Sequence, residues 1–308
     1  MKQIILVLLL ILTSCQLVER REEKGPQKSI SDRNDLKEAE DSQPRKRLMI
    51  LPFLDANSER VANWREDARS EFISELNKSG SLIVIDSQDL KLDVSKYVVS
   101  NQYNFSDLSK VAQPLGVAAL LEGQLLDLKV KRQADPVGVF RQLKTTFEAK
   151  VRVRIASVRS GKELFNTVKT VTVEEANMRV AENVNTDRFF AANPDVMENL
   201  VKEAFLDFAP QISSTMDKLS WEGRIAMIQG ERIFLNVGKV SGLQVGDILK
   251  VSEDGEDVYD PQTGNYIGRV PGRLKGTLEV ISYFGQDGSI AVIHSGSGFK
   301  ENDKIELY

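Results

Sequence analysis

Phe147, Ala149, Val151, Val153 and Ile155 alternate with Glu148, Lys150, Arg152 and Arg154. An apolar period of two places every apolar side chain on one side of a strand and every charge on the other. Such a strand belongs in an antiparallel sheet with one covered face, and its partners flank it in the chain. Upstream, "VAALLEGQLLDLKV" reads as a long strand with Leu126, Leu128 and Val130 inward and Asp127, Lys129 and Lys131 outward. Downstream, a Ser160-Gly161 turn leads into "TVKTVTVEE", which returns as the third strand. The stripe Lys150, Arg152 and Arg154 reads as a solvated face rather than a binding face.

Earlier in the chain the pattern switches between short apolar runs and helical spacing. "RLMILPF" is a strand interrupted by Pro52, and Asn57 or Ser58 is placed to cap a helix whose apolar face is Val61, Trp64, Ala68, Phe72, Ile73 and Leu76. "SLIVID" is a second buried strand, and Ser106 is placed to cap a short helix that ends before Pro114 and Gly116. After the three long strands, Asn193 and Pro194 start a helix carrying Met197, Leu200, Val201, Ala204, Phe205 and Phe208, which ends or kinks near Pro210. The predicted fold class is therefore α/β, a mixed sheet in the order βαβαβββα, over about residues 47–219.

From about residue 220 to 308 the periodicity changes. "GRIAMIQ", "RIFLNV", "DILKVSE", "GTLEVISYF", "SIAVIH" and "DKIELY" are short strand-like runs separated by Gly-, Asp- and Asn-containing turns, which predicts a small all-β barrel. An internal echo supports it: "SGLQVGDILKV" at 241 aligns with "SGFKENDKIEL" at 297. The alignment sets Gly246 opposite Asn302, the two residue types that best accept a left-handed backbone.

The amino terminus obeys different rules. Lys2 precedes nine unbroken apolar residues, Ile4 to Leu12, and Thr13-Ser14 lead to Cys15, the only cysteine of the chain. Nine residues rise about 14 Å as a helix, half a bilayer core, so this is a secretion signal to be removed (residues 1–14) rather than a stable span. A lone cysteine forms no internal disulfide. Residues 15–46 are nearly all polar, with interleaved charges, and bury too little to order themselves; as a coil they reach about 30 Å. Losing the signal removes one charge, Lys2, and takes the formal charge from −4 to −5. That mixed-sign surface offers no basic footprint for nucleic acid.

Leu12-Thr13-Ser14-Cys15 resembles a bacterial lipobox. The resemblance implies cleavage before Cys15, acylation of its thiol (lipid attachment at Cys15) and membrane contact through that lipid. Gln16 in place of Asp implies outer-membrane delivery, facing the periplasm. "LMILPF", "SLIVID" and "LGVAALLEGQLLDL" resemble the periplasmic domain shared by curli-secretion-channel lipoproteins, peptidoglycan-synthase activator lipoproteins and the amino-terminal domain of TolB-like proteins. "NVGKVSGLQVGDILKV" followed by "DPQTGNYIGRV", with its Asp260-Pro261, Thr263-Gly264 hairpin, resembles the carboxy-terminal domain of the flagellar assembly protein FlgT. These resemblances imply a non-catalytic binding or assembly factor whose partners are envelope proteins. The alternative they carry is a subunit of a homo-oligomeric secretion channel. A spanning hairpin needs an apolar outer face and aromatic girdles; residues 126–156 offer only Phe140 and Phe147, and residues 171–190 carry charges on both faces.

No enzyme chemistry is assembled in the sequence. Glu253, Asp254, Glu256, Asp257 and Asp260 lack the spacing of a calcium loop. His294, the only histidine, has no second imidazole or thiol to share a metal and no nucleophile elbow to serve. No phosphate-binding glycine loop follows either early strand. No cofactor or metal is expected.

Overall fold

A computed structural model describes residues 44–60, 63–90, 92–134, 143–175 and 185–308. Cys15, the signal and most of the tether, Val61, Phe140 and much of the second candidate hairpin lie outside the described residues.

Strand β1 (Lys46–Ile50) lies between β3 (Leu82–Asp86) and β6 (Ala119–Ala134) and runs parallel to both, while the short β2 (Leu54–Asp55) pairs further along β6. β7 (Leu143–Ser157) and β8 (Glu163–Glu175) extend the sheet antiparallel, giving the order β3-β1-β6-β7-β8. Parallel neighbours need crossover connections. Helix α1 (Asn63–Lys78) supplies the first; the β4 (Val98–Val99) and β5 (Gln102–Tyr103) hairpin with α2 (Phe105–Ala112) supplies the second. After β8 come α3 (Thr186–Ala192), α4 (Pro194–Leu206) and α5 (Ala209–Asp217). The expected order is thus coarser than the chain, which adds β2, the β4–β5 hairpin and α3, and breaks the last helix between Leu206 and Ala209, near Pro210.

From Leu48 to Leu51 the chain is apolar because both faces of the sheet are covered there. Leu48 and Ile50 join Phe72, Leu76, Phe205 and Phe208 in the larger core, while Met49 and Leu51 join Phe105, Leu108 and Leu120 in a smaller one beneath α2. The alternating residues Phe147 to Ile155 all face the larger core. Gly123 is small for a reason: a Cβ there would lie 2.6 Å from the Phe53 ring, which packs on Phe205 with centroids 4.3 Å apart.

Three local expectations are corrected. Pairing between β6 and β7 passes from Leu125 to Asp127 and skips Leu126, so Leu125 and Leu128 face the core and Leu126 is the bulged residue. The cap of α2 is Asn104, whose side chain accepts the Asp107 N–H, rather than Ser106. Asn57 accepts the Glu59 N–H in a turn ahead of α1. As expected, Pro194 opens α4 at its first position, and Pro210 sits in the first turn of α5.

All six strand-like runs of the carboxy-terminal region become the strands of one closed barrel. They are β9 (Gly223–Gln229), β10 (Arg232–Leu235), β11 (Ile248–Ser252), β14 (Leu274–Phe284), β15 (Gly288–Gly296) and β16 (Lys304–Leu307), in the cyclic order β10-β15-β14-β11-β16-β9. Exchanging β9 with β14, β10 with β15 and β11 with β16 reproduces that order, so the barrel is two equivalent three-stranded halves. A hairpin of β12 (Glu256–Tyr259) and β13 (Tyr266–Val270) is inserted between them. The sequence echo marks the equivalent turns into β11 and β16. Gly246 and Asn302 have φ of 97° and 69°. Leu243 and Phe299 pack on the barrel core, and Asp247 and Asp303 each accept the N–H three residues back, from Gln244 and Lys300.

A polar seam joins barrel and sheet. The Arg47 guanidinium donates to the Asn236 carbonyl and to Asp287 Oδ2, each at 2.7 Å. Asp287 also accepts the Gly238 and Ser241 N–H groups at 2.9 Å and the Ser241 hydroxyl. Beside it, Asp254 accepts from Gln113 at 2.9 Å and from Arg224 at 2.6 Å.

Candidate functional site

The parallel strand β2 ends at Asp55, which is 5% exposed. Its Oδ1 accepts the Asn57 N–H at 2.8 Å and Arg60 Nη1 at 3.0 Å, while Oδ2 has no partner. Burial raises the carboxyl pKa above its ordinary 3.8, against the pull of the Asn57 N–H and Arg60. From the other side, Arg60 Nε donates to Asp187 Oδ1 at 3.0 Å, which ties the β2–α1 loop to α3. α3 is in turn seated on the sheet by its aromatic pair: Phe189 and Phe190 lie 5.5 and 6.0 Å from the Phe147 ring.

Between that loop, α3 and the start of α4 lies a cavity of about 340 Å³. Trp64, Phe190, Ala191, Pro194 and Met197 give it an apolar floor, and Asn57, Glu59, Arg60, Asp187 and Glu198 form its rim. The two rim charges that meet, Arg60 and Asp187, hold each other, and Glu198 pairs with Lys202 at 2.7 Å. Trp64 is 3% exposed, and its indole N–H has no hydrogen-bond partner. An apolar space with a few polar groups at its rim is the usual make-up of a small-ligand pocket.

The other buried charges are spent on the fold. Glu122 is fully buried, accepts the Tyr103 N–H at 2.6 Å and meets Arg154 at 3.1 Å. Arg154 also donates to Glu163 at 2.6 Å and lies 4.5 Å over the Phe105 ring. Arg152 donates to Gln124 at 2.6 Å. The expectation of a solvated Lys150, Arg152, Arg154 stripe therefore holds for Lys150 alone, because α2 covers the other end of that sheet face. Burial, with the Glu122 charge beside it, pushes the Tyr103 phenol well above its usual range. Arg69, 1% exposed, is held by Asp86 at 2.5 Å and Glu66 at 2.8 Å.

The residues weighed for metal or acid–base chemistry are dispersed. Asp254 belongs to the seam, and Asp260 holds its own turn by accepting the Gln262 and Thr263 N–H groups at 2.9 and 2.7 Å. His294 Nδ1 lies 3.1 Å from the Thr277 hydroxyl. Among the described residues no three metal-ligating side chains cluster, and no helix is long and apolar enough to cross a membrane. Asp55, Arg60, Trp64 and Asp187 were not singled out by sequence reasoning as a site. Trp64 carried only the signal of a helix face, and nothing local joins position 60 to position 187.

No protein-family model and no curated protein matches this sequence. Solved structures that it resembles include the hypothetical protein CT253 from Chlamydia trachomatis, at 14% identity and a TM-score of 0.37 over 56% of this chain and 98% of that one. The lipoprotein GNA1162 from Neisseria meningitidis matches at 14% identity and a TM-score of 0.30, over 50% and 97%. The LpoB C-terminal domain from Salmonella enterica matches at 13% and 0.27, over 42% and 84%. Structural neighbours of this chain thus include bacterial lipoproteins.

Proposed function

We propose that this protein is an outer-membrane-anchored periplasmic lipoprotein that acts as a non-catalytic binding or assembly factor in an envelope machine, flagellar, cell-wall or secretory. The observation that carries the binding role is the preformed cavity, whose floor is apolar and whose rim charges Arg60 and Asp187 are mutually paired. Such a site holds a group without offering it a free acid, base or nucleophile. The anchored location rests on Leu12 to Cys15 and the polar segment behind it. More than one acyl chain on Cys15 makes release from the membrane slow, at about 0.8 kcal/mol for each buried methylene.

The channel alternative draws on strand length alone. β6 and β7 have 16 and 15 residues, more than the roughly ten that a spanning strand needs. Their inward face, however, is committed to α3 and α4, and the outward face carries Asp127, Lys129, Glu148 and Lys150, which is costly against lipid. Cross-linking in intact cells followed by capture tests the proposal: the expected partners are cell-wall, secretion or motility components. Recovery of none of these, or ion conductance by purified rings in a planar bilayer, would overturn it.

A further inference from the structure

The α/β sheet ends at β8, and among the described residues no strand pairs with the far side of that strand. Its pairing with β7 runs unbroken from Phe165 to Glu175, so every second residue of that stretch turns an N–H and a C=O away from the sheet. The side chains record the same vacancy. On β7 the inward residues from Phe147 to Ile155 are fully buried, whereas on β8 the inward Phe165, Val171 and Val173 are only partly buried, and the outward Asn166, Val168, Thr170 and Thr172 are exposed. Natural edge strands are blunted by proline, by bulges or by charges that point along the edge. Between Phe165 and Val173, β8 has no proline, no bulge and one charge, Lys169. That lysine turns back onto its own chain, 2.6 Å from Asp207 Oδ2 and 4.6 Å over the Phe208 ring. The rest of the stretch is mostly threonine and valine, which favour strands.

We infer that β8 is a dimer edge: two copies of this chain pair antiparallel through residues 165–175, about a two-fold axis at Thr170, and join their sheets into one. The match of the edge to itself favours a copy over a foreign strand. An axis at Thr170 uses the whole bulge-free stretch and sets Thr170 against Thr170, Val168 against Thr172, Thr167 against Val173, Lys169 against Val171 and Asn166 against Glu174, with no like charges opposed. An axis one residue earlier would set Lys169 against its own copy. The two-fold satisfies both edges at once, so assembly closes at two and does not grow into a ring. The inference goes beyond the binding role proposed above and needs neither the cavity nor the lipid.

The test uses the chain from residue 15 onward with Cys15→Ser, which carries neither lipid nor thiol. Sedimentation over a concentration series is expected to show a monomer–dimer equilibrium. Thr170→Lys and Thr170→Glu, at an exposed position, each set like charges against one another and should weaken the dimer about fivefold, with far-UV circular dichroism unchanged. An equimolar mixture of the two variants should recover the dimer, which a local disturbance of the fold would not do. In the same background Thr170→Cys should form a disulfide-linked dimer on mild oxidation, because opposed Cα atoms of an antiparallel pair lie about 4.5–5.5 Å apart, within disulfide reach. Glu301→Cys, exposed on the barrel, should not. A monomer at every concentration, a dimer indifferent to the charge at position 170, no recovery on mixing the two variants, or rings of higher order would overturn the inference. A monomer that captures an envelope protein, and loses it in Thr170→Lys, would give the edge to a foreign strand; the dimer would then fall and the assembly role stand.

Discussion

At the scale of single residues, the costly groups are the buried charges, and each is held by geometry that a substitution would undo. Removing one member of a buried ion pair leaves the other unsolvated, which costs about 3–5 kcal/mol. Glu122→Leu, which takes the buried partner from Arg154, leaves it only the partly exposed Glu163 and strips the Tyr103 N–H of its acceptor, is therefore expected to lower the urea-unfolding free energy by that order, and the double variant with Arg154→Met to regain part of it. Asp55 gives a pH-dependent case. Its pKa is raised in the folded chain, so its contribution to stability is fully present below 3.8 and is lost as pH rises through the higher folded value. The stability of Asp55→Asn relative to the natural chain should thus increase with pH across that window. A flat difference between the two urea titrations would show that Asp55 is not shifted.

At the scale of elements, much was legible because alternation and helical spacing are local. The strand from Phe147 to Ile155, the three long strands and all six barrel strands were read from period and turn residues alone. What was missed has a tertiary cause. The bulge at Leu126 reverses the phase of β6 without any residue type that marks it, and Asn104 wins the cap of α2 over Ser106 by its distance from the Asp107 N–H. Burial of Arg154 depends on α2, which no strand pattern reveals. The cavity joins residues more than a hundred positions apart and left no trace in the sequence. The repeated turn was legible and is testable. Asn302→Gly should be nearly neutral, whereas Gly246→Val, at φ 97°, should cost about 1–2 kcal/mol in thermal or urea unfolding. Asn104→Ala should cost about 1 kcal/mol.

At the scale of the whole molecule, Pro44–Tyr308 forms one compact unit in which the Arg47–Asp287 pair and the Gln113–Asp254 hydrogen bond connect the α/β part to the barrel. Gly116 lets them approach, since a Cβ there would lie 2.5 Å from Asn236 Nδ2. Arg47→Ala is expected to split a single calorimetric transition into two, and an unsplit transition would assign the coupling elsewhere. The proposed envelope role stands only if the chain is tethered to a membrane. The intact mass of the mature amino terminus, purified from membranes, tests that most directly. The account predicts a chain beginning at Cys15 and carrying a diacylglyceryl thioether; a chain that begins elsewhere, or at Cys15 without lipid, would contradict it.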